Sequence, residues 1–165
     1  MKYKHLLALT FALACIVLLT ACSDSDYVSP SNQARNDLIT IVESINEQDP
    51  TAIKNLLSSY LLANVEDIDS SIDEMFEFID GEIVSYDKPF GSACGSLEKK
   101  DTGAKIQCFV TDKGTEYYIG TNQWYRYDEH PEQVGIYNIT VKNLSMLSDD
   151  PESIDAVFRL EVEGE

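Results

Sequence analysis

The chain predicts an α+β domain in which three N-terminal helices pack on a curved antiparallel β-sheet. Apolar residues recur at three- and four-residue spacing through the first half of the domain, whereas alternation with period two dominates the second half. A strong turn signal, Asp112-Lys113-Gly114, separates two of the alternating runs. Helices first and strands afterwards is the order of a segregated α+β architecture.

The first helix is expected over Arg35 to Asn46, with Leu38, Ile41, Val42 and Ile45 on one stripe. Asp49-Pro50 reads as an N-cap followed by Pro at the first helical position. The stripe that follows is Ile53, Leu56, Leu57, Tyr60 and Leu61. Asn64 is expected to cap a third helix carrying Val65, Ile68, Ile72, Met75, Phe76 and Ile79, with Gly81 at its stop. Strands are expected at Glu82 to Tyr86, Lys105 to Val110, Thr115 to Tyr127, Val134 to Asn143 and Asp155 to Val162. The last alternates Ala156, Phe158, Leu160 and Val162 on one face.

Residues 1–21 read as a leader. Lys2 and Lys4 precede an uncharged run of 16 residues, Leu6 to Ala21. As a helix this run spans about 24 Å, short of the roughly 30 Å hydrocarbon core of a bilayer. It ends in Leu19-Thr20-Ala21-Cys22, which resembles a bacterial lipobox: an aliphatic residue, two small residues and the cysteine that takes a diacylglyceryl group. Two acyl chains give stable membrane attachment where one does not. Cys15 fits the pattern poorly, and cleavage there would expose Ile16-Val17-Leu18-Leu19. The expected organisation is thus a signal peptide at 1–21, a polar tether at 22–33 and one domain at 34–165, on the extracytoplasmic face of the cell membrane.

Without the leader the chain keeps 10 basic residues against 29 acidic ones, a formal charge of −19. That balance argues against nucleic acid and against lying flat on an anionic bilayer. Cys94 and Cys108 remain after Cys22 is lipidated. If the chain turns near Lys100-Asp101-Thr102-Gly103, the two face each other and a disulfide follows; the alternative is two free thiols. Neither accompanying histidines nor metal-ligand spacing points to a metal or cofactor. His130 lies in the loop Asp128-Glu129-His130-Pro131-Glu132 and reads as a solvated histidine. Glu66, Asp67, Asp69, Asp73 and Glu74 read as a solvated helix face lacking the calcium-loop pattern.

A family resemblance adds to these readings. Ile72-Asp73-Glu74-Met75-Phe76-Glu77-Phe78-Ile79 with Gly81 and Ile83-Val84-Ser85-Tyr86-Asp87 resembles an uncharacterised family of Gram-positive lipoproteins, a domain of unknown function. Thr111-Asp112-Lys113-Gly114-Thr115, Tyr117-Tyr118-Ile119, Pro131 and Val134-Gly135-Ile136-Tyr137 continue it. The resemblance covers most of residues 34–145. It implies a nuclear-transport-factor-2-like or cystatin-like cone, three helices over a bent antiparallel sheet, and brings no catalytic residues. The cysteine pair and residues 154–165 depart from it.

Within such a cone Tyr117, Ile119, Tyr125 and Tyr137 are the candidates to line a pocket, with Tyr125 brought near Tyr137 and Trp124 facing the other way. Ordinary core packing of the same residues is the competing reading. The function expected is a non-catalytic module binding a small ligand or a partner protein. The alternatives are an isomerase- or hydratase-like enzyme using a buried carboxylate, for which no expected strand supplies an inward acid, and a structural envelope component. Cys22→Ser is expected to shift the protein from the membrane fraction to the soluble one, whereas Cys15→Ser leaves it in place; fractionation and detergent-phase partitioning measure this.

Overall fold

The computed structural model describes residues 28–150 and 153–162. The leader at 1–21, Cys22 and the tether up to residue 27 lie outside the described residues.

Helix α1 spans Pro30–Glu47, so the expected tether gives way to helix before residue 34. Ser29 caps it, accepting from the Asn32 N–H, and Pro30 occupies the first turn. This is the cap-plus-proline signal recognised at Asp49-Pro50, here hidden because Asn32 and Gln33 are exposed and polar. Ala34, Leu38, Ile41, Val42 and Ile45 form its buried stripe.

The expected second helix is broken in two. Helix α2, Pro50–Lys54, is capped by Asp49, whose Oδ1 accepts from Thr51 and Ala52. A turn at Asn55 and Leu56 ends it, the chain extends at Leu57 and Ser58, and helix α3, Ser59–Asn64, starts on the Ser58 hydroxyl. The extended residues form a parallel bridge to Ile136: the Ser58 N–H donates to its carbonyl, and its N–H donates to the Leu56 carbonyl, both at 2.9 Å. Two backbone bonds and a fresh cap thus offset the helical turn that is given up. Helix α4, Ile68–Phe78, is capped by Asp67 rather than Asn64 and buries Ile72, Met75 and Phe76. The acidic run around it is exposed, as expected of a solvated face, with Asp69 bound to Lys54.

Six strands follow: β1 Ile83–Tyr86, β2 Phe90–Gly95, β3 Lys99–Thr111, β4 Glu116–Tyr127, β5 Gly135–Asn143 and β6 Val157–Glu161. They pair antiparallel in the order β1-β3-β4-β5-β6, with β2 also on β3. β1 and β2 share one edge of β3, at opposite ends of its 13 residues. A short helix α5, Leu144–Asp149, capped by Asn143, leads from β5 towards β6. It was not expected from the sequence, and neither was β2. The last strand is shorter than expected because a 3-10 turn occupies Ile154–Ala156.

The β2–β3 register corrects the cysteine pairing. Cys94 lies opposite Asp101, and the turn falls at Ser96, whose N–H donates to the Lys99 carbonyl and whose hydroxyl accepts from Glu98 and Lys99. Residues 100–103, expected to be a turn, are mid-strand. Cys108 stands seven residues beyond Asp101, about 23 Å along the strand, against the roughly 4.4–6.8 Å that a disulfide requires between Cα atoms. Both thiols are free.

α1 crosses β2, β3 and β4, and one sheet face is buried under the helices. Ile106 and Phe109 both point into this core because a register shift between them adds a residue to β3. Where α1 begins, Gly91 is required: a Cβ there would stand 2.3 Å from the Ser31 carbonyl oxygen. At the other end Asn46 docks the helix on β1 like a strand neighbour. Its Nδ2 donates to the Ile83 carbonyl at 3.0 Å, and its Oδ1 accepts from the Ile83 N–H at 2.8 Å. Among the described residues no helix is long and apolar enough to cross a membrane. Asn46→Ala removes both bonds and is expected to destabilise the fold by about 1–3 kcal/mol, measured by urea unfolding.

Candidate ligand-binding face

Tyr117 and Ile119, expected at a pocket, are core residues with 1% and 0% exposure. The Tyr117 ring stacks on Phe109 at 5.2 Å and meets Phe78 edge-on at 6.1 Å. Its hydroxyl donates to the Phe78 carbonyl and accepts from the Asp80 N–H, so its polar end is satisfied within the fold. Helices and these rings fill this part of the sheet's covered side.

Two bulges re-aim the other aromatic candidates. Between β3 and β4 the pairing passes from Lys100↔Arg126 to Asp101↔Trp124, leaving Tyr125 as the extra residue. Between β4 and β5 it passes from Asn122↔Asn138 to Gln123↔Ile136, leaving Tyr137 extra. The ring that meets Tyr137 is therefore Trp124, at 5.7 Å and 26°, and not Tyr125. Trp124 also meets Tyr127, which strict alternation had placed on the opposite face. The Lys99 ammonium sits 4.6 Å from the Trp124 ring centre and 4.2 Å from that of Tyr127. The Tyr137 hydroxyl points at Asp101 Oδ1 across 3.5 Å. Burial, then the Asp101 charge, pushes the Tyr137 phenol up to about 12, while burial raises the Asp101 carboxyl above its ordinary value.

An inward acid does exist, on a helix rather than a strand. Asp37 of α1 accepts a 3.0 Å bond from Nε2 of Gln123, a β4 residue only 2% exposed. Burial raises the Asp37 carboxyl, partly opposed by the Gln123 bond. Gln123 Oε1 and Arg35 Nε are buried and make no hydrogen bond. The sequence carried the signal: Asp37 falls on the apolar stripe, three residues after Ala34 and four before Ile41.

The helix-free face of the sheet holds a hollow of about 240 Å³. Gly103 and Gly120, on adjacent strands, floor it, so no Cβ rises from its middle. Phe90, Lys105 and Tyr118 wall one side. Ser92, Asn122, Asn138 and Thr140 bring hydroxyls and amides to the rest, and no carboxylate lines it. The Tyr118 ring lies down across Gly120, where an added Cβ would come within 2.5 Å of its hydroxyl. An adjoining cavity of about 200 Å³ shares Asn122 and Asn138 and adds Tyr60, Tyr137 and Glu161. Of the four expected lining residues, Tyr137 borders this space, while Tyr117 and Ile119 are core. His130 sits in an exposed loop, 3.1 Å from Glu132. Among the described residues no cluster of three or more His, Cys, Asp or Glu is placed to hold a metal ion.

Fold and face together define a small α+β domain with one sheet face sealed by helices and the other carrying a polar, glycine-floored hollow. The chain belongs to the family described as Domain of unknown function (DUF5104), whose profile matches residues 40–147 and so includes every residue lining that hollow. A search of curated proteins found no match.

The raised Asp37 carboxyl carries a pH signature. A carboxyl with a higher pKa folded than unfolded binds more protons in the native state, so its contribution to stability falls as pH rises from the ordinary carboxylate range through the folded value. Asp37→Asn keeps the Gln123 contact without the charge. It is expected to raise Tm at pH 7 and to give no advantage at pH below about 3, as thermal unfolding across pH would show.

Proposed function

We propose that this protein is a non-catalytic binding module, anchored by a lipid on Cys22 outside the cytoplasm, that holds a small polar ligand in the hollow on the helix-free sheet face. The observation that carries the reading is the pairing of Gly103 and Gly120 beneath a ring of amides and hydroxyls, free of carboxylates in a strongly acidic chain. Glycine costs a strand packing and propensity; the Tyr118 ring lying across Gly120 accounts for that position, and close approach of a ligand is a physical reason for Gly103. We read the fold as the nuclear-transport-factor-2-like cone. Helices packed on one face of a sheet whose long strands carry bulges near residues 107, 125 and 137 support this. The ligand, however, is assigned to the face opposite the helices, because Tyr117, Phe109 and Ile119 occupy the covered side.

Asp37 favours a second reading, an enzyme that uses the Asp37 carboxyl as an acid or base. Its burial-raised pKa and the unpartnered Gln123 Oε1 are the features expected at such a site. The first reading is preferred because the hollow is open, whereas Asp37 is already bonded to Gln123.

A thermal-shift screen of small polar compounds against the full chain in detergent tests the proposal. At least one compound class is expected to raise Tm of the natural protein and not of Ser92→Trp, which fills the hollow from the exposed strand β2 with little effect on the unliganded Tm. A screen without a stabilising class, or equal stabilisation of both proteins, would sink the assignment.

A further inference from the structure

We infer that the hollow takes an acidic sugar, a polyhydroxylated ring bearing a carboxylate, with the Lys105 ammonium as its charge partner. This rests on the reading of the hollow as the ligand site. Charge is the first argument. Three cations elsewhere on this acidic domain are neutralised in ion pairs, Lys54 with Asp69, Lys113 with Asp80, and Arg126 with Asp128, whereas others such as Lys88, Lys100 and Arg159 are not, among the described residues. Lys105, which lines the hollow, forms no ion pair among the described residues, and its ammonium lies 5.9 Å from the Phe90 ring centre. Lys142, equally without an ion pair there, stands 5.5 Å from the ring centre of Tyr118, which belongs to the same wall. Two unpaired ammoniums beside a cavity without carboxylates form a local positive patch on a negative molecule, which is the complement of an anion.

Hydrogen-bonding capacity is the second argument. Thr140 Oγ1 donates to Asn138 Oδ1 at 3.1 Å, and Asn138 Nδ2 donates to Glu161, so the Asn138 amide is fixed in orientation. The Ser92 hydroxyl makes no hydrogen bond among the described residues, and Asn122 spends only a long 3.5 Å contact on Asn138. Adjacent groups that both give and accept suit ligand hydroxyls, which do the same. Phe90, 58% exposed, supplies an apolar wall for the C–H face of a ring. Glu161 stands outside the hollow in the adjoining cavity. Its charge orients the ligand, carboxylate towards Lys105 and hydroxyls towards Asn138.

The experiment is titration of the full chain in detergent with glucuronate, glucose and glucosamine, followed by saturation-transfer NMR. Glucuronate is expected to bind about tenfold more tightly than glucose, the increment of one charge-assisted hydrogen bond, and glucosamine more weakly than either. Lys105→Gln should abolish the preference, so that glucuronate and glucose bind that variant equally. Lys113→Gln, which removes the same charge at the β3–β4 turn, should change neither. Equal binding of glucuronate and glucose, or indifference to Lys105→Gln, overturns the acidic-sugar assignment and leaves the hollow standing as a site. If no sugar binds while another class stabilises the natural protein but not Ser92→Trp, the inference falls and the site remains. If nothing binds, both fall.

Discussion

The contact between α1 and the inward faces of β3 and β4 decides where nearly every other side chain goes. Ala34, Leu38, Ile41, Val42 and Ile45 must leave water together, and the covered sheet face offers Ile106, Ile119, Ile139 and Val141 in return. Each fully buried side chain of this kind contributes about 1.5–3 kcal/mol, so the register that aligns them outweighs any alternative by a wide margin. A one-residue slip would turn the whole set outward. Once the inner face is fixed, the outer face inherits what remains: glycine, lysine, amide and hydroxyl.

Bulges in β3, β4 and β5 modify that rule, and the outer face depends on them. The shift in β3 lets both Ile106 and Phe109 face inward although they stand an odd three residues apart. The shifts at Tyr125 and Tyr137 bring Trp124, Tyr127 and Tyr137 to one side around Lys99. An aromatic cluster thereby forms at one end of the sheet, next to the hollow, from residues whose spacing would scatter them.

These irregularities explain what could and could not be read from the chain. The helical stripes and the strands around Asp112-Lys113-Gly114 were legible because burial on one face imposes a period. The strand Phe90–Gly95 was not, since Gly-Ser-Ala-Cys-Gly offers little apolar alternation and is held by its neighbours' backbone. Missing it moved the turn from Ser96 to residue 101 and brought the cysteines falsely together. The break at Leu56–Ser58 was hidden for a related reason. Ile53, Leu57 and Leu61 keep helical spacing and are all buried, yet the Leu56 carbonyl and the Ser58 N–H bond to Ile136 and so interrupt the helix. In the outer face the individual residues were visible, but not their meeting. Gly103, Gly120 and Asn138 come from three strands, and only the register makes them neighbours.

The close approach of Gly91 to Ser31 bears on how the domain responds to force. A pull on the N-terminal end of the described chain enters through Ser29 and Pro30, the first turn of α1. That turn rests on β2, a strand with a single neighbour, at the point where the backbones nearly touch. Tension is therefore passed first to the lip of the sheet and along α1, and only then to the bidentate clasp between Asn46 and Ile83. The helix would act as a strut loaded along its axis, with its far end riveted.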